Sequence, residues 1–272
     1  MSVTAQVLAA GPGWRALDVV CTHGPEDRPF EERHGDVSIA AVTAGMFQYR
    51  TRQGAALLSP GSLLLGNAGA CFQCGHAHGH GDRCLAFHFS PEFIESVVAE
   101  VPGASRTDFA RASLPPLPEL VPLLASAEAA RDEDDGAAFE ELALRLVGTV
   151  MTLLAPRRSA PRRPSARDEK RIASALRRIE RDGHEPLTLA ALAREAAMSR
   201  YHFLRSFAQV TGMTPHQYVL RTRLHRTAVR LKRTHEPIAT IVYDAGLNDL
   251  STFNRRFRRV LGMSPGEFRA RG

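Results

Sequence analysis

Apolar residues along this chain follow two different periods. Up to about residue 114 they gather in short runs of β-type composition, at 37–42, 46–51, 62–65 and 83–89. Arg52-Gln53-Gly54 and Ser59-Pro60-Gly61 supply turn chemistry between them. Closely spaced short strands predict a small barrel or sandwich over 1–114. Ser90-Pro91-Glu92 then reads as an N-cap with proline in the first helical turn. Over 117–130 and 137–154 the period changes to that of a helix. In the second of these, Phe139, Leu142, Leu146, Val150 and Leu153 make one apolar stripe. The stripe can pack on its own barrel or on a second copy of the chain, so 115–156 is a helical segment and a candidate homodimer contact.

From Pro156 to Pro164 the chain holds three prolines and no apolar face. It cannot continue a helix and reads as an exposed, semi-stiff linker, placing the domain boundary at 157–166. Beyond it the pattern is helical throughout. Ser165 with Asp168 caps a helix carrying Ile172, Leu176 and Ile179, and Gly183 ends it. Leu189, Leu192, Ala193 and Ala196 form the next apolar face. Ser199 caps the helix of Phe203, Phe207 and Val210. Thr214-Pro215-His216-Gln217 is a capping box that opens a long helix running to about Lys232. Glu236-Pro237 starts a second set: Ile238, Ile241, Val242 and Ala245, then Gly246 at a turn, then Asp249 capping the helix of Phe253, Phe257 and Val260. Ser264-Pro265-Gly266-Glu267 closes it with another capping box.

These two sets are copies of one another, with Phe203, Arg205, Phe207, Gly212, Met213 and Pro215 answered by Phe253, Arg255, Phe257, Gly262, Met263 and Pro265. Each copy reads as a short helix, a tight turn and a second helix. A helix-turn-helix buries one face of its second helix and offers the other to the major groove of DNA. With Phe203, Phe207 and Val210 inward, Arg200, Tyr201, His202 and Arg205 face outward, with Gln209 at the edge. With Phe253, Phe257 and Val260 inward, Ser251, Thr252, Asn254 and Arg255 face outward, flanked by Leu250 and Arg258. Arg pairs with guanine, Asn with adenine, and Ser or Thr with several bases. Arg221, Arg223, Arg256 and Arg259 are placed for phosphates, which set register without reading sequence. A helical solenoid is the structural alternative, but two units on one long helix with Arg-rich faces favour double-stranded DNA as the partner.

Charge agrees with that partner. Residues 165–272 hold 21 Lys and Arg against 10 Asp and Glu, whereas residues 1–164 hold 14 against 19. A basic half joined to an acidic one points to an anionic ligand for the basic half. No apolar run reaches membrane-spanning length and no basic-then-apolar leader opens the chain, so a cytoplasmic protein with no membrane partner is expected.

Residues 167–272 resemble the double helix-turn-helix domain of the AraC/XylS family of transcription regulators. The likeness rests on Leu189-Ala190-Ala191-Leu192-Ala193, on 199–207, on Pro237-Ile238-Ala239-Thr240-Ile241-Val242, on 251–257 and on the closing Gly262-Met263-Ser264-Pro265. Leu247 follows Gly246 where the family has an aromatic residue, which implies a small packing change. The resemblance implies that Tyr201, Arg205, Ser251 and Arg255 occupy base-contacting positions, and that Leu204 fills another with an apolar side chain. It also implies two reading helices in successive major grooves, about 34 Å apart, and RNA polymerase as a partner. More weakly, 1–114 resembles the family's cupin-like sensor barrel, whose cavity receives a small effector. The expected fold class is α+β: an N-terminal cupin-like β-barrel with flanking helices, then an all-α double helix-turn-helix domain.

Four cysteines in a chain without an export signal are expected to stay reduced. Cys71, Cys74, His76, His78, His80 and Cys84 crowd one Gly-rich stretch. Thiolates and imidazoles are the preferred ligands of zinc and other transition metals. Cys-x2-Cys would set two sulfurs on one tight turn, alternating histidines would share one face, and Asp82 could orient an imidazole. A redox pair of Cys71 and Cys74, or an inert loop, are the other readings, and no cofactor is demanded. The expected protein is a sequence-specific DNA-binding transcription regulator gated by a small-molecule or metal effector. The alternative, a cupin-type metal-dependent enzyme fused to a DNA-binding domain, needs several histidines and a carboxylate on facing strands. The histidines here crowd one loop instead, so no catalytic residue is assigned.

Overall fold

The computed structural model describes residues 3–76, 79–155 and 163–271, and the chain divides into two units, Met1–Ala160 and Pro161–Gly272. Most of the sequence-defined linker, together with His78, lies outside the described residues; 163–165 carry no helix.

In the first unit, β1 (Val3–Gly11), β2 (Trp14–Cys21), β4 (Val37–Gly45), β7 (Leu63–Gly66), β9 (Asp82–Phe89) and the short β10 (Ser113–Leu114) join in one sheet ordered β1-β2-β9-β4-β7-β10. The strands β3 (Phe30–Arg33), β5 (Phe47–Thr51), β6 (Gly54–Leu58) and β8 (Cys71–Gly75) form a second, ordered β3-β8-β5-β6. Every pairing is antiparallel. Ala40, Val42, Leu64, Cys84 and Ala86 of the larger sheet pack against Phe47, Tyr49 and Leu58 of the smaller. The result among the described residues is two facing sheets that are not closed on one another.

The larger sheet is covered on its other face too. Residues of opposite parity in its strands, Ile39, Leu63, Leu65, Phe87 and Phe89, are also buried. Phe87 meets Phe139 at a tilt and Phe89 stacks on Phe93, with ring centroids 6.0 and 5.3 Å apart. Those partners belong to α3 (Phe139–Leu154) and α1 (Pro91–Val98), with α2 (Val121–Asp132) beside α3. Burial on both faces explains why β4 reads as a continuous apolar run rather than an alternation. It also answers where the α3 stripe goes. Phe139, Leu142, Leu146 and Val150 are buried within their own chain, and only Leu153 is left partly open. Ser90 caps α1 as its sequence predicts, its hydroxyl accepting from the Phe93 amide at 3.3 Å.

Among its described residues the second unit holds seven helices: α4 (Ala166–Asp182), α5 (Leu189–Glu195), α6 (Arg200–Thr211), α7 (Pro215–Arg233), α8 (Ile238–Asp244), α9 (Leu250–Leu261) and α10 (Pro265–Ala270). Capping boxes open α4, α7 and α10 at Ser165, Thr214 and Ser264. The long α7 is shared. Its first half packs with α4 and α6, while Leu224, Ala228 and Leu231 further along meet Ile241, Val242, Phe253 and Phe257. Leu247 enters that core in place of an aromatic residue. No helix among the described residues is long and apolar enough to cross a membrane.

Val210 and Val260 depart from the expected pattern. They are 41% and 60% exposed, not buried with their phenylalanines. Both lie in the last turn of their helix. Helical spacing specifies the face, but the extent of the layer beneath that face decides burial.

The turn between α8 and α9 leaves no room for a side chain at Gly246. Gly246 has φ of 81°, and a Cβ there would stand 2.3 Å from the carbonyl oxygen of His184. The equivalent residue of the first copy, Ala197, also has positive φ, at 49°. Gly246→Ala is therefore expected to cost roughly 2 kcal/mol or more, from the left-handed penalty plus the clash. Ala197→Gly, which meets only the conformational term, is expected to be neutral or stabilising. Urea unfolding of the two variants beside the parent chain measures both.

Candidate nucleic-acid interface

The second helix of each copy is seated by the same pair of aromatic contacts. Phe203 and Phe207 lie 5.6 Å apart at 47°, and Phe253 and Phe257 lie 5.3 Å apart at 53°. Phe207 then meets Tyr218 edge-on at 5.7 Å and 80°, and Phe257 meets Phe268 at 5.5 Å and 81°. This last pair is part of the repeat, although its members differ in the sequence. The start of each helix is pinned as well. The Ser199 hydroxyl accepts from the His202 amide at 3.1 Å, and the Asp249 carboxylate accepts from the Ser251 and Thr252 amides at 2.8 and 3.1 Å. Both helices end on a left-handed glycine, Gly212 and Gly262, each with φ of 75°.

Opposite the phenylalanines, α9 presents Ser251, Asn254, Arg255 and Arg258, all exposed. Leu250, Asn254, Arg255 and Arg258 form one wall of a concavity whose other side includes Ile238 and Pro265. Thr252 serves the helix itself, since its hydroxyl donates to Asp249 at 2.5 Å and accepts from Arg255 Nη2 at 3.1 Å. The cap thus orients the arginine. On α6 the matching face is less open, with Arg200, Tyr201 and Arg205 half-buried. The Arg205 guanidinium lies 5.9 Å from the Tyr201 ring centroid, within range of a cation–π contact. His202 turns toward the start of α4, its Nε2 3.6 Å from Asp168. Leu204 is buried, so the base-contact position it matches by resemblance is closed.

Two of the four phosphate candidates, Arg221 and Arg259, are exposed. The other two are corrected by the structure. Arg256 is only 8% exposed and belongs to the interior of its bundle. Arg223 points between the two copies, where Nε, Nη1 and Nη2 donate to the carbonyls of Gly183, Gly246 and Glu185 at 2.6, 2.8 and 2.7 Å. Spacing along a single helix cannot tell an outward arginine from one bonded to carbonyls of remote loops. A further basic surface lies outside the repeated helices: Arg167, Lys170, Arg171 and Arg177 of α4 line a concavity beside α5. Helical spacing alone places these residues opposite the buried Ile172, Ala175 and Ile179.

A family model described as a helix-turn-helix domain matches residues 192–271. Regulatory protein SoxS of Escherichia coli is 32% identical over 103 residues, which make up 38% of this chain and 96% of SoxS. The chain belongs to the AraC/XylS family of transcription regulators. Regulatory protein ada of Salmonella typhimurium is 39% identical over 102 residues, 38% of this chain and 28% of that protein. The chain spans about a third of the length of the first curated relatives it matches. Among solved structures it is similar to the DNA-binding domain of AdpA, a global transcriptional factor in complex with a target DNA. There the identity is 28%, over 36% of this chain and 89% of that one, with a TM-score of 0.35.

In this AraC/XylS-family chain the Cys/His stretch of the first unit is laid out differently from its sequence appearance. Cys71 and Cys74 lie on β8, not on a turn. A strand sends residues three apart to opposite faces, so Cys71 is exposed while Cys74 packs into the inter-sheet core. Burial pushes the Cys74 thiol up to about 12, with nearby acidic groups adding to the effect. Burial likewise raises Cys84. Neither a chelate nor a redox pair of Cys71 with Cys74 is assembled. His80 is exposed, whereas His76 is buried, with Nε2 2.6 Å from Asp82 Oδ1.

The two arginine classes separate experimentally. Arg223→Ala strands three carbonyls and is expected to lower stability by about 2–4 kcal/mol. Arg221→Ala, on the same helix but exposed, is expected to change it by less than about 0.5 kcal/mol. Urea denaturation of both variants checks the contrast.

Proposed function

We propose that this protein is a sequence-specific DNA-binding transcription regulator. In this reading α6 and α9 enter successive major grooves of one duplex, and the first unit responds to a small-molecule or metal effector. The observation that carries it is the structural repeat. Two helices with the same aromatic seating, the same kind of cap and the same terminal glycine present polar faces built from residue types that suit base edges. Family membership supports the same reading, as does the excess of Lys and Arg over Asp and Glu in the second unit.

Roles divide by placement. Tyr201, Arg205, Ser251, Asn254 and Arg255 contact bases. Arg200 flanks them, His202 and Thr252 hold their helices, and Arg221 and Arg259 neutralise phosphates, joined by the α4 surface. Arg223 and Arg256 act as scaffold. RNA polymerase is the protein partner that a regulator of this family implies.

The test is a selection of bound sites from random duplexes with the full chain, followed by affinity measurements on selected and random DNA. Arg205→Ala or Arg255→Ala is expected to cost about 1–3 kcal/mol on the selected site and to relax preference at one base. Arg221→Ala or Arg259→Ala is expected to weaken both DNAs alike and to reduce the salt slope by about one. Equal losses on selected and random DNA for Arg205→Ala and Arg255→Ala would remove the base-reading role.

A further inference from the structure

Cys21, His23 and His76 come from separate places in the chain: the end of β2, the segment after it, and the residue following β8. Their sulfur and ring-nitrogen atoms nevertheless lie within 4.8 Å of one another. Cys21 and His76 are buried, at 8% and 5% exposure, and His23 is half-buried. The Cys21 Sγ is 3.2 Å from His23 Nδ1. A sulfur and a nitrogen bound tetrahedrally to one zinc ion stand roughly 3.5 Å apart, given bonds of about 2.3 and 2.0 Å.

The surroundings are built to hold these groups. Asp82 pairs across the sheet with Cys21, and its carboxylate lies 2.6 Å from His76 Nε2. That contact leaves Nδ1 as the nitrogen of His76 able to bind, and a carboxylate on the far nitrogen is the usual support of a metal-bound imidazole. The Cys84 thiol donates to the other carboxylate oxygen of Asp82 at 3.5 Å. The segment carrying His23 is tied down, with the Gly81 amide donating to the His23 carbonyl at 2.8 Å. At Gly81, φ is 68° and a Cβ would stand 2.9 Å from the Cys21 carbonyl oxygen, so the strand end and the loop are in close contact.

We propose that Cys21, His23 and His76 form a binding site for a borderline divalent cation, zinc above all, with Asp82 positioning His76. One thiolate and two imidazoles suit that class of metal, and three protein ligands leave a fourth coordination position open. On binding, the Cys21 proton passes to solvent as the sulfur–metal bond forms. The donor set differs from the one the sequence suggests. Two of its members lie well before the Cys/His stretch in the chain, and Cys71, Cys74 and His80 take no part. All of its residues belong to the first unit, and it is tested without DNA.

The experiment uses the full chain, freed of metal by a chelator and dialysed. Zinc alone is titrated with a competing chromophoric chelator, and cobalt alone is followed by absorption. Expected are one zinc per chain and a sulfur-to-cobalt charge-transfer band. Cys21→Ser and His23→Ala should each weaken zinc by about 100-fold or more, and Asp82→Asn by about 10- to 100-fold, while Cys71→Ser leaves affinity unchanged. Because Cys21 is buried, His23→Ala serves as the ligand variant should Cys21→Ser fail to fold. The proposal is overturned if the folded parent chain holds no zinc and gives no thiolate–cobalt band. It is equally overturned if His23→Ala binds like the parent, or if Cys71→Ser loses as much affinity as His23→Ala.

Discussion

One arginine holds the two copies of the helical repeat in register. Arg223 leaves the shared helix α7 and donates to the carbonyls of Gly183 and Glu185 on one side and of Gly246 on the other. A guanidinium suits this position because its donors are planar and fixed, and its charge strengthens each bond. Gly246 completes the joint. Its left-handed backbone and missing Cβ let the His184 carbonyl approach to a distance no other side chain would allow. The clamp and Gly246 tie the loop before α5 to the turn before α9, so the relative placement of the two copies rests on this joint.

Further pairs brace the second copy. Arg230 is bonded to both Glu236 and Asp244, Arg269 donates to the Glu236 carbonyl, and Lys232 sits over the Phe268 ring. Much of the Arg-rich character of this unit is therefore structural. Net charge marks the unit as one for an anionic partner, but the arginines that face such a partner are a subset of it.

The first unit obeys a different constraint. Its larger sheet is covered by the smaller sheet on one side and by α1 and α3 on the other, so its central strands β4, β7 and β9 are buried at both parities. Three of the histidines in this unit are paired. His34 meets the Tyr49 hydroxyl at 2.7 Å, His88 meets Ser38 at 3.0 Å, and His76 meets Asp82. Where the sheet ends, those rules relax, and there Cys21, His23 and His76 come together.

The sequence by itself determined what depends on neighbours within a turn or two. Caps at Ser90, Ser165, Ser199, Thr214, Asp249 and Ser264, the helices they open, the positive φ of Gly246 and the repeated phenylalanine seats all follow from local spacing. Tertiary structure alone decided what depends on residues far apart in the chain. It turned Arg223 from a phosphate candidate into a clamp, left Val210 and Val260 outside the core, and set two facing sheets together without closing them. It also separated Cys71 from Cys74 and brought Cys21 to His76. The physical reason is common to all of these. Backbone geometry fixes the direction of a side chain from its own element, whereas burial, charge pairing and ligand convergence depend on which distant element arrives opposite it.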